Sequence, residues 1–386
     1  MSSYQGFLLR AQFYLVILGA LYVIAVGLLT IPFIQSHVVY LNAVRIPWFA
    51  DFSAPEKYGL APNKTLNFKI RTDDNETLGA WFILSDPYYH SLPRIPVSVE
   101  AHVTTALKQR PTILFFHGNA ATRAFHVRIS HYQAFSSRLG SNVLVIDYRG
   151  FAESTGQPSE KGLVRDGKAA WDWLISQGAN QENIVIVGHS LGTGVASQLG
   201  VVLGQHNITP RGIVLLSPFS SIRELLNTYN IFGVVPLMKP LAMIPHAPKL
   251  LTQALIHEFD SLSAVPNIKA SILIAHAEND WDIPYTHSEV IFETFLDTHL
   301  PSISPLENPL TATREQWSVF NAKLKARSIK RRELVSRTVV LNFGQVEEFV
   351  AEGRKVVYVK TLAGGHDFLG IQEGVQDIIR RSFDFL

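Results

Sequence analysis

The sequence predicts an α/β fold, in which helices cover both faces of a mostly parallel central sheet. Along the chain, short runs that are apolar at nearly every position alternate with longer segments of helical character. Strands of this kind suit a parallel sheet, because crossover helices bury both of its faces. The predicted strands are Thr112–Phe116, Asn142–Ile146, Asn183–Val187, Gly212–Leu216, Ser271–Ala275 and Lys355–Val359.

A hairpin is predicted before these strands. The segments Thr65–Arg71 and Leu78–Leu84 have the character of strands, and a polar stretch, residues 72–76, separates them. Two such segments around a short polar turn are typical of paired antiparallel strands. We expect the sheet domain to cover residues 62–386.

An N-terminal membrane anchor is predicted from the run between Ala11 and Ile34, which carries no charged residue. As a helix this run is about 36 Å long, enough to cross the hydrocarbon layer. A cleaved signal peptide is the alternative, but its apolar region is shorter and ends at a small-residue cleavage site. We therefore expect a short tail at residues 1–10, a transmembrane helix at residues 11–35 and a juxtamembrane segment at residues 36–61.

Two features of the flanking sequence bear on orientation. Arg10 precedes the span and Arg45 and Lys57 follow it at a distance, so the positive-inside signal is weak. Asparagine-glycosylation sequons occur downstream at Asn63, Asn75 and Asn207. Sequons suit a lumenal glycoprotein. We expect a single-pass protein of the endoplasmic reticulum with a lumenal catalytic domain.

Aromatic residues in the juxtamembrane segment either lie at headgroup level or pack on the domain; they are Tyr40, Trp48 and Phe49.

The composition excludes several classes of function. Of 386 residues, 47% are hydrophobic and 17% charged, and the net charge is +2, without the basic surface expected of a nucleic-acid-binding protein. The chain has no cysteine, which excludes thiol catalysis, disulfides and cysteine-ligated metals. Its histidines are scattered and match no metal-ligand spacing, so no metal or cofactor is predicted. The oligomeric state is not indicated by the sequence.

A candidate nucleophile is Ser190, in the pentapeptide Gly188-His189-Ser190-Leu191-Gly192 directly after an apolar strand. In a G-x-S-x-G turn between strand and helix, the serine has a strained backbone and its Oγ lies exposed above the sheet. Glycines flank it because side chains there would collide with neighbouring elements. The alternative is a glycine-rich turn without chemical function.

A serine nucleophile needs a carboxylate further along the chain, because the base that takes its proton must be oriented and stabilised. Asp280 lies a few residues after a predicted strand and is the preferred candidate, with Asp282 and Glu278 as alternatives. All three could instead form a solvated acidic turn.

The candidate base is His366, in a glycine-containing loop after the last predicted strand. This position completes the chain order serine, acid, histidine that is typical of the G-x-S-x-G architecture. His276 and His287 are the other candidates, but they lie too close to the acidic segment.

Acyl transfer also needs hydrogen-bond donors for the developing oxyanion. The backbone N–H of Leu191, directly after the nucleophile, is one candidate. The N–H of Asn119 is the second, because Gly118 allows the loop after an early strand to approach closely. His117 is expected to brace this loop.

Two segments do not fit the alternation of strands and helices. Residues 220–266 are expected to form a cap and include the apolar run Ile231–Ile244 with Met238 and Met243. Residues 300–336 are a second insertion with a basic run, Lys323–Arg332. This run is either a solvated helix face or a contact for anionic lipid headgroups.

The chain resembles a known family in the strings HGN, DYRGFAES, GHSLGTGVAS, LLSPFSSI and LIAHAENDWDIP. Together these are similar to the membrane-anchored α/β-hydrolase-domain lipases that act on lysophosphatidylserine and monoacylglycerol. The resemblance covers about residues 65–295 and the final histidine segment. It implies the α/β-hydrolase fold with an inserted cap, an extracytoplasmic site and the triad Ser190, Asp280 and His366. Ala152 departs from the family's usual glycine, the 300–336 insertion is unfamiliar, and the cap has diverged.

The leading functional hypothesis is a membrane-anchored serine hydrolase that cleaves lipid esters through an acyl-enzyme intermediate. A protein acyl-thioesterase is the alternative enzyme, because it needs the same triad. A catalytically silent hydrolase fold used as an interaction module is the alternative from another class.

Overall fold

The computed structural model describes residues 2–228, 230–231, 235–236, 246–306 and 308–385. A ten-stranded sheet runs through the domain in the order β1-β2-β4-β3-β5-β6-β7-β10-β9-β8. Its strands are β1 Thr65–Arg71, β2 Thr77–Ile83, β3 Thr112–Phe116, β4 Asn142–Ile146, β5 Ile184–His189, β6 Gly212–Leu216, β7 Ile272–Ala277, β8 Ser336–Val340, β9 Gly344–Ala351 and β10 Arg354–Thr361.

The middle of the sheet is parallel, from β4 through β3, β5, β6 and β7 to β10. The β1–β2 hairpin extends one side, with β2 antiparallel to β4, and β9 and β8 extend the other. The prediction of a mostly parallel α/β sheet is confirmed. Because the carboxyl ends of parallel strands share one edge, the loops that follow β3, β5, β7 and β10 meet there.

Helices bury both faces of the sheet, and successive strand residues alternate between the two cores. In β3, Leu114 and Phe116 belong to one hydrophobic cluster, and Ile113 and Phe115 belong to the other. The helices are α1 Ser2–Leu28, α2 Pro32–Tyr40, α3 Asp86–Ser91, α4 Val103–Gln109, α5 His126–Ser137, α6 Glu160–Ser176, α7 Leu191–Gln205, α8 Ile222–Thr228, α9 Ala247–Gln253, α10 Ser261–Ala264, α11 Thr286–Asp297, α12 Arg314–Leu334 and α13 Glu373–Ser382. Helices α4, α6, α7 and α11 cover one face, and α5 and α13 cover the other.

The N-terminal helix α1 contains the apolar stretch Gly6–Leu28, which is long enough to cross a membrane and has almost no side chain buried in the domain. The aromatic residues after it divide between the two expected placements. Tyr40 is fully buried in the core, whereas Trp48 and Phe49 point outward.

The insertion at residues 300–336 contains α12, which begins at a capping box on Thr313. Part of its basic run forms salt bridges with α11. Arg327 contacts Asp297, and Arg331 contacts Glu293 at 2.5 Å. The β8–β9 hairpin follows, a feature that the sequence analysis missed. Every residue of β8 is exposed, so this edge strand lacks the continuous apolar pattern of the buried strands.

The segment expected to form a cap includes α8, a short two-stranded ladder of residues 230–231 and 235–236, and α9. Most of its apolar run, including Met238 and Met243, lies outside the described residues.

Candidate active site

Ser190 occupies a sharp turn between β5 and α7. Its backbone has φ 52° and ψ −122°, a conformation that costs energy for any residue other than glycine. A methyl group at Gly192 would lie 2.0 Å from the carbonyl oxygen of Phe116, and one at Gly188 would lie 2.4 Å from the carbonyl oxygen of Gly192. The two glycines are therefore required by the close packing of the turn, as the pentapeptide pattern predicts.

The structure pairs Asp280 with His366, 86 positions away in the chain. The Nδ1–H of His366 donates to Asp280 Oδ2 at 2.8 Å. The other carboxylate oxygen, Oδ1, accepts the backbone N–H groups of Asp282 and Ile283, each at 2.9 Å. The alternative acids, Asp282 and Glu278, are exposed. Of the three candidate carboxylates, the one paired with the histidine is the buried one.

His276 also contacts Oδ2 of Asp280, a contact that the sequence analysis missed. Its Nε2 lies 3.2 Å from Asp280 Oδ2 and donates to the carbonyl of Ile283 at 2.9 Å, while its Nδ1 is 2.6 Å from Ser288 Oγ. His276 is fully buried and does not line the cavity described below. Its place at the end of β7, four residues before the acid, was the only signal in the sequence.

The electrostatics favour a charged carboxylate beside a basic imidazole. Burial by itself would raise the pKa of Asp280, but hydrogen bonds from His276 and His366 and their charges hold it below its usual range. Burial would lower the pKa of His366, but the hydrogen bond to Asp280 and the nearby charges of Asp280, Asp282 and Asp367 raise it above the ordinary histidine value.

His366 and Ser190 line the same cavity of about 400 Å³. The loop that carries His366 is held there because the Nε2–H of His189, the residue before the candidate nucleophile, donates to the carbonyl of His366 at 2.9 Å. Asp280, Asp282 and His366 also offer one possible metal-ligand atom each within 4.8 Å of one another. In the observed geometry the Nδ1 proton of His366 is bound by Asp280, so that nitrogen has no lone pair to offer an ion.

The loop after β3 lies directly against the nucleophile. A methyl group at Gly118 would lie 3.2 Å from the Cβ of Ser190. In the described part of the chain, the backbone N–H groups of Asn119 and Leu191 have no hydrogen-bond acceptor, and both residues line a cavity with Ser190. Two free donors beside a serine hydroxyl are the arrangement that binds an oxyanion.

Arg128 on α5 fixes this loop, and the sequence analysis missed it. Its Nη2 donates to three consecutive carbonyls, those of Gly118 and Asn119 at 3.0 Å and that of Ala120 at 2.7 Å. The carbonyls thereby point toward Arg128. Arg128 lies in the first turn of α5 and no local motif marks it, so only the fold identifies it.

His117 braces the same loop. It is fully buried, and its Nδ1–H donates to the carbonyl of Gly118 at 2.7 Å. The hydroxyl of Tyr148 donates to the backbone carbonyl of His117 at 2.9 Å. Burial, together with the charge of Arg128, lowers the pKa of His117 to about 4. A neutral, enclosed imidazole of this kind supports the loop and does not reach the nucleophile.

A second cavity, of about 330 Å³, also lies beside Ser190 and is mainly apolar. Among the described residues, its apolar side chains after β6 and around α9 are Phe219, Ile222, Leu225, Leu226, Leu251 and Leu255. An apolar cavity that reaches a nucleophile with two free N–H groups can hold the hydrocarbon part of an acyl group.

Comparisons with known proteins bear on the fold and the family of the chain. The family model for the alpha/beta hydrolase family matches residues 113–366. The lysophosphatidylserine lipase ABHD12 of Xenopus tropicalis is 33% identical over 286 residues, which are 72% of this chain and 69% of the relative. The protein of the same name from Gallus gallus is 34% identical over 255 residues, 66% of this chain and 64% of the relative.

Among solved structures, an alpha-beta hydrolase from Vibrio vulnificus shares the fold with a TM-score of 0.53, at 15% identity and with 92% of each chain covered. The residues matched by the alpha/beta hydrolase family model include Ser190, Asp280 and His366. The chain therefore belongs to the alpha/beta hydrolase family and is an ester-hydrolysing enzyme related to the lysophosphatidylserine lipases.

Proposed function

We propose that the chain is a membrane-anchored serine hydrolase that cleaves acyl esters of lipids, such as lysophosphatidylserine or monoacylglycerol. Ser190 is the nucleophile, His366 the general base and Asp280 the acid that orients it. The observation that carries the proposal is the bonded Asp280–His366 pair beside a strained serine, at the end of an apolar cavity.

The proton inventory supports these roles. Because Nδ1 of His366 donates to Asp280, its Nε2 keeps a lone pair and can take the proton of Ser190 Oγ. The hydroxyl oxygen then attacks the ester carbonyl, and the N–H groups of Asn119 and Leu191 stabilise the oxyanion. His366 returns the proton to the leaving alcohol, and an acyl-enzyme remains. Water, activated by the same histidine, releases the fatty acid.

Three observations support a lipid substrate. One cavity next to Ser190 is apolar and accommodates an acyl chain, whereas the other, which contains Arg128 and Asp367, is more polar and suits a headgroup. Helix α1 contains an apolar stretch long enough to cross a bilayer, and a membrane span there would hold the site close to the lipid. The relatives from Xenopus tropicalis and Gallus gallus are named as lysophosphatidylserine lipases.

The proposed location is the endoplasmic reticulum membrane, with the catalytic domain in the lumen. The three sequon asparagines, Asn63, Asn75 and Asn207, are all exposed and therefore accessible to glycosylation. Digestion with an endoglycosidase tests this directly. A downward mobility shift that disappears in Asn→Gln variants supports a lumenal domain, and protease sensitivity of the domain in sealed microsomes contradicts it.

Labelling with a fluorophosphonate probe tests the catalytic assignment. We expect the full-length chain to label, Ser190→Ala not to label, and the exposed-site control Ser137→Ala to label as the wild type does. Unlabelled wild-type protein would support the silent fold, and labelled Ser190→Ala would place the nucleophile elsewhere. Rates on long-chain lysophospholipids and on an acylated thioester peptide then distinguish a lipase from a protein thioesterase.

A further inference from the structure

The helix that follows the candidate membrane span is built into the catalytic domain. Gln35 on α2 is buried; its Nε2–H donates to the carbonyl of Ala254 at 2.7 Å, and its Oε1 accepts the N–H of Ile256 at 3.0 Å. The hydroxyls of Ser36 and Tyr40 hydrogen-bond the two ring nitrogens of His257, at 2.9 Å and 3.2 Å. Four polar contacts thus fix α2 against the segment after α9.

The chain beyond α2 is bonded to the loop that carries the proposed oxyanion donor. The N–H groups of three consecutive residues, Ala120, Ala121 and Thr122, donate to the carbonyls of Tyr40, Val44 and Ile46, at 2.9 Å, 2.6 Å and 3.0 Å. Residues 40–46 therefore form a strap across this loop. The membrane-proximal segment is part of the active-site framework and not a loose linker.

One side of α2 forms a wall of the apolar cavity. Val38, Val39 and Leu41 line it together with Ser190, and Leu29, just after α1, lines it as well. Val38 is 50% exposed although it lines the cavity, so the cavity opens to the surroundings at this side chain.

Another part of the cavity wall contacts the candidate membrane span itself. Val26 of α1 and Leu251 of α9 bury each other, to 5% and 3% exposure, and Leu226 packs beside them. Leu251 and Leu226 also line the cavity. Val26 lies two residues inside the apolar stretch Gly6–Leu28, about 3 Å along the helix axis from its end. The cavity therefore reaches the level of the bilayer surface.

We propose that α2 and the end of α1 form, with α9, the entrance of an acyl-chain pocket that opens toward the bilayer. The hydrocarbon tail of a lipid passes from the membrane along Val38 to Ser190 without crossing water. Avoiding that crossing removes the cost of exposing each methylene group, about 0.8 kcal/mol. This inference rests on the proposed role of Ser190 as the nucleophile.

Because the chain contains no cysteine, a single introduced cysteine can report on the pocket. Full-length Val38→Cys, in phosphatidylcholine vesicles, is first reacted with a methyl or a hexadecyl fluorophosphonate, and the rate of maleimide labelling is then measured. The matched control is Val290→Cys on α11, where the side chain is 47% exposed and outside both cavities. We expect the hexadecyl group to slow labelling at position 38 by about tenfold, because the alkyl chain blocks access. The methyl phosphonate should not change the labelling rate at position 38. At position 290, neither phosphonate should reduce the rate of labelling.

The outcomes separate this inference from the catalytic assignment. If mass spectrometry finds Ser190 modified but the hexadecyl group leaves the rate at position 38 unchanged, the route along α2 is wrong and the nucleophile stands. If neither phosphonate modifies Ser190, the proposed function fails and the inference fails with it.

A steric variant gives a second measurement. In Val38→Trp we expect kcat/KM for long-chain lysophosphatidylserine in vesicles to fall by about tenfold or more. A loss of this size is within the range by which apolar pockets discriminate between substrates that fit and substrates that do not. Hydrolysis of p-nitrophenyl acetate should change less than about twofold, because its acyl group does not reach position 38. Val290→Trp should alter neither rate. Equal losses on both substrates, or no loss on the long one, would overturn the inference.

Discussion

Replacing Asp280 with asparagine should change the tautomer of His366 more than it changes the fold. Oδ1 of Asp280 accepts two backbone N–H groups at 2.9 Å, so the amide oxygen of asparagine takes that place. The amide NH2 group then faces Nδ1 of His366, which can only meet it as an acceptor. The proton moves to Nε2, and His366 can no longer take the proton of Ser190.

The expected loss in kcat is about 10⁴-fold, or about 5.5 kcal/mol, as for the same change in other serine hydrolases. Unfolding stability should fall by less than about 2 kcal/mol, because both backbone bonds survive and the Nε2–H of His276 keeps the carbonyl of Ile283 as its acceptor. The assay is steady-state hydrolysis of a soluble ester, with thermal unfolding measured on the same preparation. Asp282→Asn is the matched control: its carboxylate is exposed and not bonded to His366, so its kcat should change less than about threefold. If Asp282→Asn lost as much activity as Asp280→Asn, or if Asp280→Asn kept a tenth of the wild-type rate, the assignment of the acid would be wrong.

Three further predictions follow from the same geometry. The pKa of His366 is raised because its carboxylate neighbours outweigh the effect of burial. Since the base must be neutral, kcat/KM should fall as the pH drops through that raised pKa, with a midpoint above about 6.5. In Asp282→Asn this midpoint should move to lower pH. A pH–rate profile with its acid limb below the ordinary histidine value would contradict this. In Gly192→Ala the added methyl group would lie 2.0 Å from a backbone carbonyl, so denaturant unfolding should show a loss of about 3 kcal/mol or more, whereas Gly204→Ala, with contacts no closer than 3.4 Å, should stay within about 1 kcal/mol. Arg128→Met leaves three loop carbonyls without their hydrogen-bond donor. We expect kcat to fall by a larger factor than KM changes, and the free energy of unfolding to drop by about 2–4 kcal/mol. Unchanged kcat would show that Arg128 does not position the oxyanion donors.

The strands that could be predicted from the sequence are those with two buried faces. Every residue of β3 and β4 is buried, so the apolar run and the strand coincide. The β8–β9 hairpin was missed because one strand is exposed throughout and the other carries charged residues such as Glu347 and Glu348. Neither strand is apolar throughout, and the two join the sheet because β9 pairs with β10 and the edge strand β8 pairs with β9.

The candidate site divides in a similar way. Ser190 and His366 lie in loops directly after strands, where local glycines and chain order are informative. Asp280 is preferred over Asp282 in the sequence by its distance after β7, whereas its burial and its hydrogen bond with His366 are visible only in the structure. Arg128 and the strap at residues 40–46 both bond to backbone groups of the loop after β3, and backbone partners leave no signal in the residue types of that loop. They could not be read from the sequence.

The strap has a consequence for how this chain can be regulated. Many anchored enzymes remain active when a protease cuts the stalk and releases the catalytic domain. Here a cut after Ile46 would leave behind the three carbonyls that hold residues 120–122, together with α2 and its side of the apolar cavity. In the proposed anchored protein, once that membrane-bound piece separates from the domain, we expect shedding and inactivation to be a single event, whereas a cut before α2 would release the domain with its strap.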